Sequence, residues 1–295
     1  AKSTTSILIA AQEKRKNHLI LTYNRELADE SMKMIRDYGL TNIDCRTIHA
    51  QVGICANRTC ENDIKLIKQV KIWRNGGVVK RLRQYDIIYI DEAQDLRPSL
   101  YEALTYILPL SVQVVVMGDP KQLLYDYNIE DAATCDYLQY AEKYFSKFSE
   151  NRKWIDAKLS QSFRLPPKIT RFVNTIWHTN ILSSNTSSED LPVEYWYLNT
   201  YGDEFTSRVK PILENNKPED VIILSQMNMK SSNGKDRPLM LHINSLIQEK
   251  TFEGKQKFKF HFKDSSADEK ASCKNKIRVF TYCACKGLTV PIVIV

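Results

Sequence analysis

The sequence predicts an α/β fold in which parallel strands are joined by crossover helices. Short β-branched or aromatic runs alternate with helical stretches along the chain, and this alternation is typical of parallel sheets. Three of the runs are almost entirely apolar, as expected for strands that helices cover on both faces. The predicted strands are His18 to Thr22, Tyr85 to Ile90, Val112 to Met117, Val193 to Leu198, Val221 to Leu224 and Ile277 to Thr281.

Helical periodicity predicts three of the helices. One follows the N-terminus over Ser6 to Gln12, and a second runs from Arg25 to Tyr38 and stops at Gly39. The third, Ile169 to Trp177, carries four apolar residues at helical spacing. Such spacing places apolar side chains on one face, so we expect the second and third helices to pack against a core.

Two polar segments suggest how the chain is divided. Ser183 to Asp190 and Ser231 to Arg237 are rich in Ser, Asn and charged residues, and both are predicted to be solvated loops. The simplest division is a first lobe over residues 1–158 and a second lobe over residues 159–295.

Composition excludes a membrane-spanning protein and favours a reducing compartment. The longest apolar runs, Val112 to Met117 and Pro291 to Val295, are far shorter than the roughly 20 residues that cross a bilayer. The first residues lack a secretory leader pattern and the seven cysteines are an odd number, so the cytosol or nucleus is expected.

The cysteine spacing favours free thiols over a structural zinc site. A net charge of +7 permits a nucleic-acid partner without requiring one.

Two adjacent acids carry the strongest chemical signal. Asp91 and Glu92 follow the apolar run that ends at Ile90, and α/β folds bind ligands where parallel strands end. Asp91 could there hold a hydrated Mg²⁺ beside a phosphate chain while Glu92 accepts a proton from the attacking water. The alternative is a strand that leaves the core through a solvated acidic turn.

A second apolar run ends in Gly118-Asp119-Pro120-Lys121-Gln122. Gln122 at this edge could hydrogen-bond either a terminal phosphate or the attacking water, and so report whether the third phosphate is present. The alternative is a polar turn built from Gly, Asp and Pro.

The N-terminus carries the third signal, in which Lys2, Ser3 and Thr4 open a helix. Lys-Ser/Thr at a helix start is the last part of a phosphate-binding loop, where Lys reaches the outer phosphates and the hydroxyl binds Mg²⁺. Ala1 stands where such a loop normally has its last Gly, and the preceding strand and glycines are not in this chain.

The ordered motifs together resemble those of superfamily 1 helicases of the UvrD/Rep type. They are Lys-Ser, Thr-Tyr-Asn-Arg, Thr-Ile-His, Asp-Glu-Ala-Gln-Asp, Gly-Asp-Pro-Lys-Gln, Gln-Ser-Phe-Arg and Lys-Gly-Leu. The resemblance implies two RecA-like P-loop NTPase lobes with parallel sheets flanked by helices and ATP between them. It implies a compact helicase core or part of one, because the last family motif has no counterpart before Val295.

The resemblance also implies a role for each matching residue. Lys2, Ser3 and Thr4 would bind phosphate, Ser3 and Asp91 would hold Mg²⁺, and Glu92 would activate water. Gln122 would sense the γ-phosphate. Arg164 would act as an arginine finger and Phe163 would lie against the adenine. Taken alone, Arg164 is better explained as a surface residue before a Pro-capped helix.

Strand binding is implied for a second set of positions. Exposed aromatics can stack bases, and basic or hydroxyl groups can hold phosphates without reading sequence. The set is Thr22, Tyr23, Asn24, Arg25, Thr47, His49, Tyr125 or Tyr127, Thr281 and Lys286. The tyrosines could instead be half-buried aromatics, and His49 could be a structural histidine.

Two functional hypotheses result. In the first, the protein is a monomeric ATP-dependent DNA helicase or translocase that moves 3′ to 5′ on single-stranded and partly duplex DNA. In the second, it is a degenerate or truncated relative that binds nucleic acid or a protein partner without ATP turnover.

Overall fold

The computed structural model describes residues 2–80, 85–123, 136–149, 152–184, 192–198, 203–225, 238–262, 275–282, 285 and 290–295. The chain forms two compact units, Ala1–Val193 and Glu194–Val295. The observed division therefore lies about 35 residues beyond the expected one at residue 158, which falls within the first unit. The predicted assignment of 1–158 and 159–295 to two RecA-like lobes stays a prediction.

The first unit is built on a four-stranded parallel sheet with the order β2-β1-β3-β4. Its strands are β1 (His18–Thr22), β2 (Ile43–Thr47), β3 (Ile87–Ile90) and β4 (Gln113–Val116). Its helices are α1 (Lys2–Gln12), α2 (Arg25–Asp37), α3 (Ile48–Ala56), α4 (Asp63–Arg74), α5 (Pro98–Ile107) and α6 (Ala141–Phe145). The α/β prediction is confirmed, with parallel sheets flanked by helices.

Alternating side chains of this sheet supply two separate cores. Leu19, Leu21, Ile88 and Ile90 pack with residues of α3, α4 and α5, whereas Ile20 and Tyr89 pack with residues of α1 and α2. Successive residues of a strand point to opposite faces, so this pattern places helices on both faces of the sheet. The nearly continuous apolar runs of β1 and β3 are explained by burial on both faces.

A smaller element follows within the same unit. It consists of β5 (Gln161–Ser162), α7 (Pro167–Trp177) and β6 (Leu182–Ser183), with β5 and β6 parallel. The prediction of a packed apolar face on α7 is wrong, because Phe172 and Ile176 are 44% and 54% exposed. The helix is anchored instead by Asn174, whose side chain bonds the backbone of Ile181 through both its oxygen and its nitrogen.

The second unit has its own parallel sheet, in the order β10-β7-β9-β8. The elements are α8 (Glu204–Asn215), β7 (Val221–Ser225), α9 (Pro238–Gln248), β8 (Phe260–Phe262), β9 (Ile277–Thr281) and β10 (Ile292–Ile294). Val209 of α8 and Leu246 of α9 pack against Val221, Ile223 and Val279 in one core.

The strand predicted over Val193 to Leu198 is wrong, because residues 192–198 have no strand structure. Tyr195 and Tyr197 are exposed, while Trp196 packs against the core of the second unit. The alternation of aromatic residues here therefore reflects one anchoring side chain and not a half-buried strand.

The predicted loops at Ser183 to Asp190 and Ser231 to Arg237 lie almost wholly outside the described residues. Among the described helices, none is long and apolar enough to span a bilayer.

Candidate functional site

The candidate site lies at the edge of the first sheet where β3 and β4 end side by side. The two strands are parallel neighbours with Ile90 paired to Val116, so the residues that follow them emerge at the same edge. Asp91 and Glu92 come directly after β3. Gly118 to Gln122 follow β4 after one intervening residue, Met117, and residues 120–122 form a single 3₁₀ turn. The backbone N–H of Ala93 donates to the Met117 carbonyl at 2.9 Å, which joins the two segments.

The side chains of Asp91 and Ser3 form a partly buried hydrogen bond. The Ser3 hydroxyl donates to Asp91 Oδ2 at 2.5 Å, and Asp91 Oδ1 accepts the backbone N–H of Glu92 at 3.0 Å. Asp91 is only 3% exposed. Burial raises the pKa of Asp91, whereas the Ser3 hydrogen bond opposes that rise. The first turn of α1 therefore places the Ser3 hydroxyl against the carboxylate of Asp91, the residue predicted to bind Mg²⁺.

Glu92 adopts a left-handed backbone conformation, with φ 55° and ψ 42°. Its side chain, which is mostly buried, contacts two other groups. Lys2 Nζ lies 3.7 Å from Glu92 Oε1, and Gln94 Nε2 donates to Glu92 Oε2 at 2.6 Å. Left-handed conformations are costly for residues other than glycine and occur often at active sites.

Gln94 links the two strand ends through its side-chain amide. While its nitrogen donates to Glu92, its oxygen accepts the backbone N–H of Asp119 at 3.0 Å. Gln94 is the fourth residue of the Asp-Glu-Ala-Gln-Asp motif, and no role was predicted for it from the sequence. Its position two residues after Glu92 is the sequence feature that could have suggested a contact with that carboxylate. The contact with Asp119 could not be predicted in this way, because Asp119 is 25 residues away and only the pairing of β3 with β4 brings it close.

Gln122 is held by the turn that contains it. Its side-chain nitrogen donates to Asp119 Oδ2 at 2.7 Å, and the backbone N–H of Lys121 donates to Asp119 Oδ1 at 3.0 Å. Lys121 Nζ also donates to the Trp177 carbonyl at the end of α7. The structure thus places Gln122 at the same sheet edge as Asp91 and Glu92, with its amide bound within the turn.

The donor set at this edge fits a magnesium ion. The Ser3 hydroxyl and the Asp91 carboxylate are the hard oxygen donors that Mg²⁺ prefers, and protein Mg²⁺ sites commonly use one or two carboxylates together with substrate phosphates. Thr4 lies in the first turn of α1 with these groups. Within the described part of the chain, no three His, Cys, Asp or Glu residues form a group that could hold a metal ion alone.

The residues predicted to bind a strand have structural roles in several cases. Thr22 ends β1 with 1% of its surface exposed. The Thr47 hydroxyl accepts the backbone N–H of Ala50 at 3.1 Å and caps α3. His49 Nε2 lies 2.9 Å from Asp63 Oδ1, and its ring lies 5.8 Å from that of Tyr23. Their roles in binding a strand stay predictions.

The remaining predicted residues lie elsewhere. Asn24 and Arg25 begin the segment that enters α2, and Arg25 is exposed. Phe163 is 70% exposed, and the backbone N–H of Arg164 donates to the Ser162 hydroxyl at 3.3 Å. Thr281 ends β9 in the second unit. Tyr125, Tyr127 and Lys286 lie outside the described residues.

Three cysteines of the first unit are free thiols in the core. Cys45, Cys55 and Cys60 are buried, and burial raises the pKa of each thiol, that of Cys45 to about 12. Such thiols remain protonated at neutral pH and behave as small apolar groups.

Comparison with protein families relates part of the chain to a helicase domain. Residues 56–145 match the model of the UvrD/REP helicase N-terminal domain. The matched segment includes Asp91, Glu92, Gln94 and the Gly118 to Gln122 turn. The resemblance of this chain to UvrD/Rep-type helicases is thereby confirmed. No curated protein matched the chain.

Proposed function

We propose, from the premise that this chain carries a UvrD/REP-type helicase segment, that it is an ATP-dependent DNA translocase and helicase. One observation carries the proposal. Lys2, Ser3, Asp91, Glu92 and Gln122, which are distant in sequence, lie along one edge of a parallel sheet, and a single set of contacts joins Lys2 to Glu92 and Ser3 to Asp91.

ATP binding would use the start of α1. Helix N-terminal N–H groups and a nearby lysine attract phosphate oxygens. Lys2, which pairs with Glu92 in this structure, would contact the outer phosphates of bound ATP. Ser3 and Asp91 would hold Mg²⁺, which when bound neutralises charge on the phosphate oxygens.

Hydrolysis would depend on Glu92. Its carboxylate would orient a water and accept one of its protons as the water oxygen bonds to the γ-phosphorus. The bond between the β- and γ-phosphates would break, and ADP and phosphate would leave. Gln122 would contact the terminal phosphate or the water, and Arg164 would supply positive charge to the transferred phosphoryl group.

Strand binding and movement complete the proposal. Tyr23, Arg25 and Thr281, together with Tyr125 or Tyr127 and Lys286, would hold a single strand through stacking and phosphate contacts. Cycles of ATP binding and release between two RecA-like lobes would move the protein 3′ to 5′ as a monomer. These assignments rest on the family resemblance and on the geometry of the sheet edge.

An unwinding assay tests the proposal. Partial duplexes with a 3′ or a 5′ single-stranded tail are incubated with the protein and MgATP, with Glu92→Gln as the control. We expect ATP-dependent separation of the 3′-tailed duplex by the wild type and none by the variant. Strand binding without separation or ATP turnover would favour the second hypothesis, a relative that only binds nucleic acid.

A further inference from the structure

We propose that Gln94 is a positioning residue that holds the Glu92 carboxylate and connects it to the turn that contains Gln122. This inference rests on the proposed function, because it concerns the residue proposed as its general base. Gln94 itself is not proposed to touch ATP or the reacting water.

Both ends of the Gln94 amide are occupied by groups of the site. Its nitrogen donates to Glu92 Oε2 at 2.6 Å, and its oxygen accepts the N–H of Asp119 at 3.0 Å. A carboxylate only accepts and an N–H only donates, so a single orientation of the amide satisfies both partners. Gln94 is 3% exposed. Water therefore has little access to the amide and cannot readily replace either hydrogen bond.

Gly118 provides the space that the amide occupies. A Cβ at residue 118 would lie 2.4 Å from Gln94 Oε1 and 2.6 Å from Leu138 Cδ2. Both distances are much shorter than a van der Waals contact. Any larger residue at position 118 would therefore displace both the Gln94 amide and the Leu138 side chain.

Asp119 extends the connection to the sensor residue. Its backbone binds Gln94 while its carboxylate binds the Gln122 side chain at 2.7 Å. A continuous series of hydrogen bonds thus runs from Glu92 through Gln94 and Asp119 to Gln122. When Gln122 leaves Asp119 to contact a terminal phosphate, the turn can shift, and Gln94 transmits that shift to the carboxylate of Glu92.

Two variants disturb the Gln94 amide in different ways. Gln94→Met keeps the approximate side-chain length but removes both hydrogen bonds. Gly118→Ala keeps the Gln94 side chain but adds a Cβ 2.4 Å from its oxygen, so that the amide has to move. Gln69→Met is the matched control, because Gln69 is equally buried but lies on α4, outside the site.

The measurement is steady-state ATP hydrolysis by the full chain over a range of ATP concentrations, with single-stranded DNA present. We expect Gln94→Met and Gly118→Ala each to lower kcat by at least about tenfold, as partial loss of general-base positioning would. KM should stay within about threefold, since neither residue contacts ATP. The double variant should lose little more than either single one, because both act on the same bond. Gln69→Met should match the wild type.

Three outcomes overturn the inference. Wild-type kcat in Gln94→Met and Gly118→Ala, beside an inactive Glu92→Gln, would reject the role of Gln94 and leave the proposed function standing. An equal loss in Gln69→Met would show a general packing effect. A wild type without ATP turnover would reject the proposed function and this inference with it. If Gln94→Met does not fold, as judged by circular dichroism, Gly118→Ala decides between the first outcome and the expected one.

Discussion

Glu92 shows at the residue scale how the site separates two adjacent carboxylates. The left-handed backbone at Glu92 sends its side chain to Lys2 and Gln94, while the Asp91 side chain bonds Ser3. A left-handed conformation costs a non-glycine residue about 1 to 2 kcal/mol. This strain occurs at Glu92, where the proposed chemistry requires that Asp91 and Glu92 have different partners.

A pair of substitutions at Glu92 isolates this cost. Glu92→Ala and Glu92→Gly both remove the carboxylate, but only glycine adopts a positive φ without strain. We expect the free energy of unfolding of Glu92→Gly to exceed that of Glu92→Ala by about 1 kcal/mol. Chemical denaturation of both variants measures the difference, and an Ala variant as stable as the Gly variant would contradict the strain.

His18 predicts a pH dependence of stability. It is fully buried, its Nδ1 lies 3.3 Å from the Tyr89 hydroxyl, and burial lowers its pKa below the usual 6.5. Because the unfolded chain then binds the proton more readily, the contribution of His18 to stability is complete above pH 6.5. It is lost as the pH falls from there toward the lowered pKa of the folded state.

Urea denaturation between pH 7.5 and 5.5 measures this dependence. We expect the free energy of unfolding of the wild type to fall more steeply on acidification than that of His18→Gln, which lacks the titrating ring. Parallel curves for the two proteins would show that His18 does not carry the effect.

At the scale of elements, Thr47 shows where a sequence motif and a structural role overlap. The family resemblance implies that the Thr-Ile-His motif binds a single strand. In the structure Thr47 ends β2 and caps α3. The cap could not be predicted because β2 was missed. Asp44 and Arg46 interrupt the apolar pattern of this edge strand. They form an ion pair in which an Arg46 guanidinium nitrogen lies 3.3 Å from Asp44 Oδ2.

Substitution of Thr47 separates the two roles. We expect Thr47→Ala to lower the free energy of unfolding by about 1 kcal/mol through loss of the cap, and Thr47→Ser to retain nearly all of it. Thermal or urea denaturation provides the measurement. Unchanged stability in Thr47→Ala together with weaker binding of single-stranded DNA would assign Thr47 to strand contact instead.

The longer strands were predictable and the shortest elements were not. β1 and β9 have the predicted bounds, and β3 and β4 lie within their predicted ranges, because each lies in a run rich in β-branched or aromatic residues. β10 has only three residues and β5 and β6 only two, too few for periodicity to reveal. The Gln94 to Asp119 bond was unpredictable for another reason, since it depends on the register between β3 and β4.

The charge of the whole molecule bears on strand binding. With a net charge of +7, affinity for single-stranded DNA should fall as salt rises, because bound phosphates release counterions. We expect Arg25→Ala to weaken binding and to reduce the slope of log affinity against log salt by about 0.7. Fluorescence anisotropy with a labelled oligonucleotide across a salt series measures both quantities.

Arg74→Ala is the matched control for Arg25→Ala. The Arg74 guanidinium is bound by both oxygens of the Glu102 carboxylate, so its removal should leave the slope unchanged. Equal slopes for Arg25→Ala and the wild type would remove Arg25 from the proposed strand-binding surface.

ATP hydrolysis with and without single-stranded DNA, with Glu92→Gln as the blank, tests the central claim most directly. If the Lys2, Ser3, Asp91 and Glu92 contacts form an ATP site coupled to a strand-binding surface, the wild type will turn over ATP faster when DNA is added. That turnover will vanish in Glu92→Gln. Turnover that persists in Glu92→Gln, or a wild type that hydrolyses no ATP in either condition, would contradict it.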